Sequence, residues 1–167
     1  MKTMIIKTLL VASVLLCYGS LHAQNSSTKP DQLKLIKQFV GQWKASIGQD
    51  TALTAEFAAI GNGLEGRSTM KSGSETLNEV RQMFGYDPKT DTFIEAELSS
   101  VSDIELWACW FSSDNLFVGV PIADLSDPSK AIFRVEVRIQ SPDCFVQTIF
   151  KNDKIMAEKT MKKVTDN

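Results

Sequence analysis

The stretch Leu33-Lys34-Leu35-Ile36-Lys37-Gln38-Phe39-Val40-Gly41-Gln42-Trp43-Lys44-Ala45-Ser46-Ile47 sets the reading of the whole chain. Leu33, Ile36 and Val40 recur at helical spacing, with Leu35 and Phe39 beside them, which predicts a helix with one apolar face about three turns long. Thr28 stands three residues ahead of Asp31 and Pro30 falls in the first turn, so the helix has a recognisable start. Gly41 ends it. Val40 to Ala45 then reads as the entry into a first β-strand, and everything beyond reads as strands as well.

Turn residues punctuate the rest at fairly even intervals. They fall at Gly48-Gln49-Asp50, Gly61-Asn62-Gly63, Ser72-Gly73-Ser74, Asp87 to Asp91, Ser99 to Asp103, Ser112 to Asn115, Ser126 to Ser129, Ser141-Pro142-Asp143 and Lys151-Asn152-Asp153. About nine turns separate about ten short strands, the rhythm of an all-β sandwich or barrel. Several segments alternate with a period of two: Phe133, Val135, Val137 and Ile139 oppose Arg134, Glu136 and Arg138; Ile94, Ala96 and Leu98 oppose Glu95 and Glu97; Leu53, Ala55, Phe57 and Ala59 share a face. Strands joined by short turns are antiparallel, and closing such a meander removes its exposed edges. The predicted fold is therefore all-β: an antiparallel up-and-down barrel of about ten strands over residues 30–167, with one short N-terminal helix closing one end.

Upstream, Lys2 and Lys7 form a positive region, Thr8 to Tyr18 is apolar, and Leu21-His22-Ala23 precedes a polar run, which reads as a cleaved secretory signal over 1–23. The apolar run falls short of the ~20 residues a membrane span needs. A disordered leader over 24–29 would follow, and the protein would be secreted or periplasmic. Losing the two lysines takes the formal charge of the 167-residue chain from −2 to about −4. A mildly acidic chain with no basic block offers no footprint for nucleic acid or for a membrane surface after cleavage. Cys109 and Cys144 would fall on about the sixth and ninth strands, with two strands at ~4.8 Å spacing between them, so they are expected to stay free thiols.

With a helix, Gly41-Gln42-Trp43 and ten strands in place, the chain resembles the calycin superfamily, and within it a lipocalin-like family of bacterial secreted proteins of undefined function. Gly61 to Gly66, Gly85-Tyr86-Asp87-Pro88 with Thr90, Trp107-Ala108-Cys109-Trp110 and the basic end Lys159 to Lys163 carry the likeness further. The resemblance implies that Trp43 packs across the closed end as a structural residue. Related heme-binding barrels hold iron through a late histidine; here the only histidine is His22, in the signal segment, so histidine-ligated heme is excluded and no cofactor or metal is expected.

Without histidine in the mature chain there is no Ser-His or Cys-His nucleophile pair, and no phosphate-cradling loop precedes a helix. Gly61, Gly63 and Gly66 are expected in a hairpin for the sake of positive φ. Carboxylates remain for acid–base work, with Glu95 and Glu97 two apart on one face, a spacing that solvated side chains on an outer wall also show. The inward faces are read as Ala55, Ala59, Ala96 and Ala108 among Phe57, Ile94, Leu106, Trp110, Val118, Val135 and Val137. Small residues interleaved with large ones either leave a void or interdigitate to fill a tapered interior. Val80-Gln82-Phe84-Tyr86, Phe145-Gln147-Ile149 and Ile155-Ala157-Lys159-Met161 have mixed faces. If these point inward, Gln82, Tyr86 and Gln147 orient a ligand; Arg81 and Arg138 are read as facing solvent. The candidate ligand-binding residues are Phe57, Gln82, Tyr86, Leu106, Trp110, Val135, Val137 and Gln147. Trp107, Phe111 and Phe117 form a further apolar set, covered by the helix or forming a contact in a weak homodimer. Three functions follow: a barrel binding a small apolar or amphipathic molecule, a packed barrel acting as a protein-interaction module through its outer surface, or an isomerase- or dehydratase-type enzyme using Glu95 or Glu97.

Overall fold

Ten strands close into one antiparallel barrel in the computed structural model, which describes residues 29–165. The predicted signal segment with His22, Thr28 and nearly all of the leader lie outside the described residues. The strands are β1 (Gly41–Ser46), β2 (Thr51–Ile60), β3 (Gly63–Ser72), β4 (Glu75–Asp87), β5 (Thr92–Ser99), β6 (Glu105–Ser113), β7 (Leu116–Pro121), β8 (Phe133–Ser141), β9 (Cys144–Lys151) and β10 (Lys154–Lys163). Each pairs with its neighbours in sequence, and β1 pairs with β10 to close the ring through Trp43 opposite Lys163 and Lys44 opposite Lys162. The up-and-down meander is thus as the turn spacing predicts. In the β9–β10 hairpin, Asn152 and Asp153 both adopt positive φ (50° and 59°), the geometry of a two-residue turn whose twist matches the strands it joins.

The helix is shorter than its apolar periodicity suggests. A single α-helical turn, α1 (Gln32–Leu35), tightens into a 3-10 turn over Ile36–Phe39. Asp31 caps it, its carboxylate accepting from the Lys34 N–H at 3.0 Å. Ile36 and Phe39 are buried and seal one end of the barrel, while Gln32, 4% exposed, ties the helix to β6 by donating to the Phe111 carbonyl (3.0 Å) and accepting from its N–H (2.7 Å). The helix covers the apolar set at this end: Phe39 lies 6.0 Å from Phe111 and 5.4 Å from Phe117 between ring centroids. Phe111 and Phe117 are therefore core residues rather than a dimer surface.

Trp43 is the plug that the resemblance implies. It is 2% exposed, its indole N–H donates to the Phe39 carbonyl at 2.7 Å, and its ring sits 4.6 Å from that of Phe145. The Lys163 ammonium lies 5.2 Å from the indole centroid, a cation–π contact across the strand pair that closes the barrel. Gly41 makes this possible, since at φ 127° a Cβ there would also stand 2.7 Å from Lys163 Cε. Gly63 and Gly66 have a different reason from the positive φ expected of them: only Gly61 of the three has it. A Cβ on Gly63 would strike the Phe84 carbonyl, and one on Gly66 would come within 2.7 Å of the Phe57 ring.

The parity of β5 and β6 is the main correction to the expected faces. Phe93 is 0% exposed, and the alternation of a strand then carries Glu95 and Glu97 inward with it. Ile94, Ala96 and Leu98 become the outer row, with Leu98 58% exposed. Directly paired residues share a face, so Trp107, opposite Glu95, and Cys109, opposite Phe93, also turn in. Ala108, Trp110 and Val118 take the outer face of β6 and β7, where the 3-10 turn Ile122–Asp124 packs back on β6. A bulge after Ile155 likewise removes that residue from the inward row of β10, leaving it 62% exposed.

Candidate functional site

The interior between the helix-sealed end and the open mouth is hollow. A cavity of about 730 Å³ runs through it, within the ~300–1,000 Å³ of small-molecule sites. Its walls are mostly apolar, contributed by Phe57, Leu64, Val135, Val137, Phe145 and others from nearly every strand. Two observations keep it open. Small residues such as Ala55 and Gly119 line it, and Gly66 lets the Phe57 ring lie close against β3, where a Cβ would stand 2.7 Å from it.

Of the residues singled out from sequence, Phe57, Gln82, Val135, Val137 and Gln147 line the cavity, and Leu106, on the outward parity of β6 and 45% exposed, only borders it. Tyr86 and Trp110 stand elsewhere. Tyr86 shares the parity of Gln82 and Phe84 but lies nearer the sealed end, where its ring is 5.4 Å from Phe93 and its hydroxyl donates to Asp91 at 2.5 Å. That hydrogen bond raises the Tyr86 pKa, and Asp91, held by Lys29 and Tyr86, is lowered. Trp110 belongs to the outer face, paired with Val118. Ala59 is exposed near the end of β2. Arg81 and Arg138 are exposed, as expected.

The polar part of the cavity is an acidic wall built on β4, β5 and β6. Glu105 at the mouth is exposed, Glu97 is half-buried, and Glu95 is 8% exposed. Gln82 faces both inner carboxyls because it pairs with Glu97 across β4–β5, and its amide donates to Glu95 at 2.7 Å and to Glu97 at 2.9 Å. The other oxygen of Glu95 accepts from the Cys109 thiol at 3.4 Å, a weak donor. Gly119 makes room for that thiol, since a Cβ there would stand 3.1 Å from its sulfur.

These surroundings decide the charges. Burial, reinforced by the neighbouring Glu97 charge, pushes Glu95 up to about 7 against the pull of the Gln82 and Cys109 hydrogen bonds. Glu97 is raised by burial and by Glu105. Cys109 is raised well above the ordinary thiol range by burial and by Glu95, so it is a protonated donor and not a nucleophile. Across the cavity Lys159 is lowered by burial, with the Glu97 charge opposing. The structure thus holds a carboxyl near its half-titration point at neutral pH inside a largely apolar chamber, an arrangement able to accept or release a proton or to meet a positive group.

Sequence reasoning paired Glu95 with Glu97 but placed them outside, and it overlooked Cys109 as a lining residue, while Lys159 falls in the row of β10 read as mixed. The signal for the carboxyls and for Cys109 was Phe93, the bulkier alternative to Ile94 for an inward anchor. Among the described residues no group of three or more His, Cys, Asp or Glu side chains is placed to hold a metal ion. Both cysteines among the described residues are free, Cys109 buried and Cys144 half-buried. The chain matches no family model and no curated protein. Its architecture, a closed ten-strand antiparallel barrel with a short helix at one end, is compatible with a lipocalin-like fold.

Proposed function

We propose that this is a secreted or periplasmic lipocalin-like barrel that binds one small apolar or amphipathic molecule in its interior. The observation that carries the reading is the cavity of about 730 Å³, sealed at the helix end and walled by apolar side chains with a few convergent polar groups. The amino-terminal pattern of Lys2, Lys7 and the apolar Thr8 to Tyr18 supports export. No nucleic-acid or membrane-surface partner is part of this reading, in keeping with the mildly acidic charge. Titration with the neutral fluorophore N-phenylnaphthylamine tests it. The dye should bind with one-to-one saturation, and Val135→Trp, which puts a large ring into the chamber, should weaken it by tenfold or more, or about 1.4 kcal/mol. Unsaturable dye binding, or equal binding by this variant, would end the proposal.

A second reading is favoured by the inward Glu95–Glu97 pair: a proton-transfer enzyme of the isomerase or dehydratase type with Glu95 as its acid–base group. A carboxyl near 7 in a water-poor chamber suits that task. Turnover of a bound carbonyl or hydroxyl compound, lost in Glu95→Gln with binding kept, would raise it above simple binding.

A further inference from the structure

The chemical class of the bound molecule follows from the charges that face the chamber, an inference that rests on the binding reading above. Ionisable side chains lining it are Glu95 and Glu97 on β5, Glu105 on β6 and Lys159 on β10, so three carboxyls stand against one ammonium, with the Cys109 thiol beside them. The carboxyls share one wall, with Glu97 and Glu105 side by side as direct partners across β5–β6 and Glu95 more deeply buried, whereas the apolar side chains Phe57, Val135 and Phe145 occupy other parts of the lining. We propose that the cavity takes an amphipathic organic cation, an alkyl or aryl amine whose ammonium sits against Glu95 and Glu97 while its apolar body fills the rest of the chamber.

The acidic wall has an unmet demand for donors and positive charge. An ionised carboxylate in a dry interior needs strong donors, and Glu95 has one amide N–H and one thiol. The Gln82 amide is shared between Glu95 and Glu97, so neither carboxylate has a full cation as partner from that side. An ammonium brings several N–H donors and the charge that the wall lacks. An alcohol brings one donor and no charge; a fatty carboxylate would add a fourth negative group and would have only Lys159 to meet it. The mouth carries the same sign, with Glu105 placed to attract a cation before it enters.

Proton linkage gives the proposal its own signature. Glu95 is raised to about 7, with Glu97, Glu105, Cys109 and Lys159 as the titratable groups facing it. An ammonium alongside would favour its ionised form, so binding near neutral pH releases protons, whereas a fatty carboxylate would draw protons in.

The test displaces N-phenylnaphthylamine from the full-length chain with decylammonium, decanol and decanoate, three probes of one length and different charge. Decylammonium should displace the dye at concentrations at least about tenfold lower than either of the others, as expected of a desolvated charge pair. The double substitution Glu95→Gln with Glu97→Gln should erase this preference when each probe is scored against the dye affinity of that same variant. Calorimetry of wild-type protein in two buffers of different ionisation enthalpy should show proton release with decylammonium, a readout that does not depend on the variant folding. Equal or better displacement by decanol or decanoate, or proton uptake or no proton exchange with decylammonium, would overturn the amine assignment and leave the binding reading intact. Failure of the dye itself to bind would remove the binding reading, and the assignment with it.

Discussion

Replacing Glu95 with glutamine should stabilise the protein at alkaline pH and flatten its pH dependence. The folded chain holds the Glu95 proton up to about 7, against an ordinary value of 4.5. Below pH 4.5 folded and unfolded chains are both protonated at this site, and the contribution of the raised pKa is fully present. Between 4.5 and 7 the unfolded chain has lost its proton and the folded chain has not, so stability falls as pH rises, by about 1.4 kcal/mol per pH unit. Above 7 the loss is complete at about 3 kcal/mol. Glu97, raised in the same direction, adds to the slope but is common to both proteins. In Glu95→Gln the amide oxygen can still accept from Gln82, and what disappears is the weak thiol contact, a loss of about 1 kcal/mol. The variant should therefore be more stable than wild type by about 2 kcal/mol at pH 8 and no more stable near pH 5. Urea unfolding at pH 5, 6, 7 and 8, followed by tryptophan fluorescence, measures both. Parallel pH profiles for the two proteins, or a variant less stable than wild type at pH 8, would refute the burial of an ionisable Glu95 in the barrel.

Trp43→Ala should cost about 3–5 kcal/mol in the same urea assay, because it empties the sealed end and removes the partner of Phe145 and Lys163; a loss under 1 kcal/mol would show that the helix, not the indole, seals the barrel. Gly66→Ala forces a Cβ to within 2.7 Å of the Phe57 ring and should destabilise by about 1–3 kcal/mol while weakening dye binding, since the ring's way out is into the cavity. Ellman's reagent should modify the half-buried Cys144 in the native protein and reach Cys109 only on unfolding; rapid reaction of both thiols would contradict the buried, protonated Cys109.

The barrel was legible because its signals are local. Turn chemistry marks each hairpin, and the alternation of Phe133, Val135 and Val137 against Arg134, Glu136 and Arg138 admits one parity only. Arg134 duly forms outer-wall ion pairs with Glu136 at 3.0 Å and Asp153 at 2.9 Å. The site was less legible, because β5 carries apolar side chains on both faces. Ile94, Ala96 and Leu98 look like a core row, and the rule that charges stay outside favours that parity. What wins is the ring of Phe93, completely buried beneath Phe117 and Tyr86 at the sealed end, and two carboxyls follow it into the interior. A charged pair on an inward face is where local pattern rules fail, and such failures gather at functional sites. Gln32 shows the same limit on a smaller scale: only the long-range approach of Phe111 makes a helix glutamine a buried tie. The helix itself falls short of its predicted three turns because it tightens into a 3-10 turn from Ile36 to Phe39 at the sealed end of the barrel, where the Phe39 carbonyl accepts from the Trp43 indole.

The central claim is that the barrel interior is a hollow chamber that takes a small amphipathic molecule. Crystals grown with a terminally brominated decanol test it without reference to charge, because bromine marks its own position by anomalous scattering. The account predicts one strong bromine peak inside the ring of strands, between Phe57, Val135 and Phe145. A map with bromine only on the outer wall, or with core side chains collapsed across the interior, would contradict it.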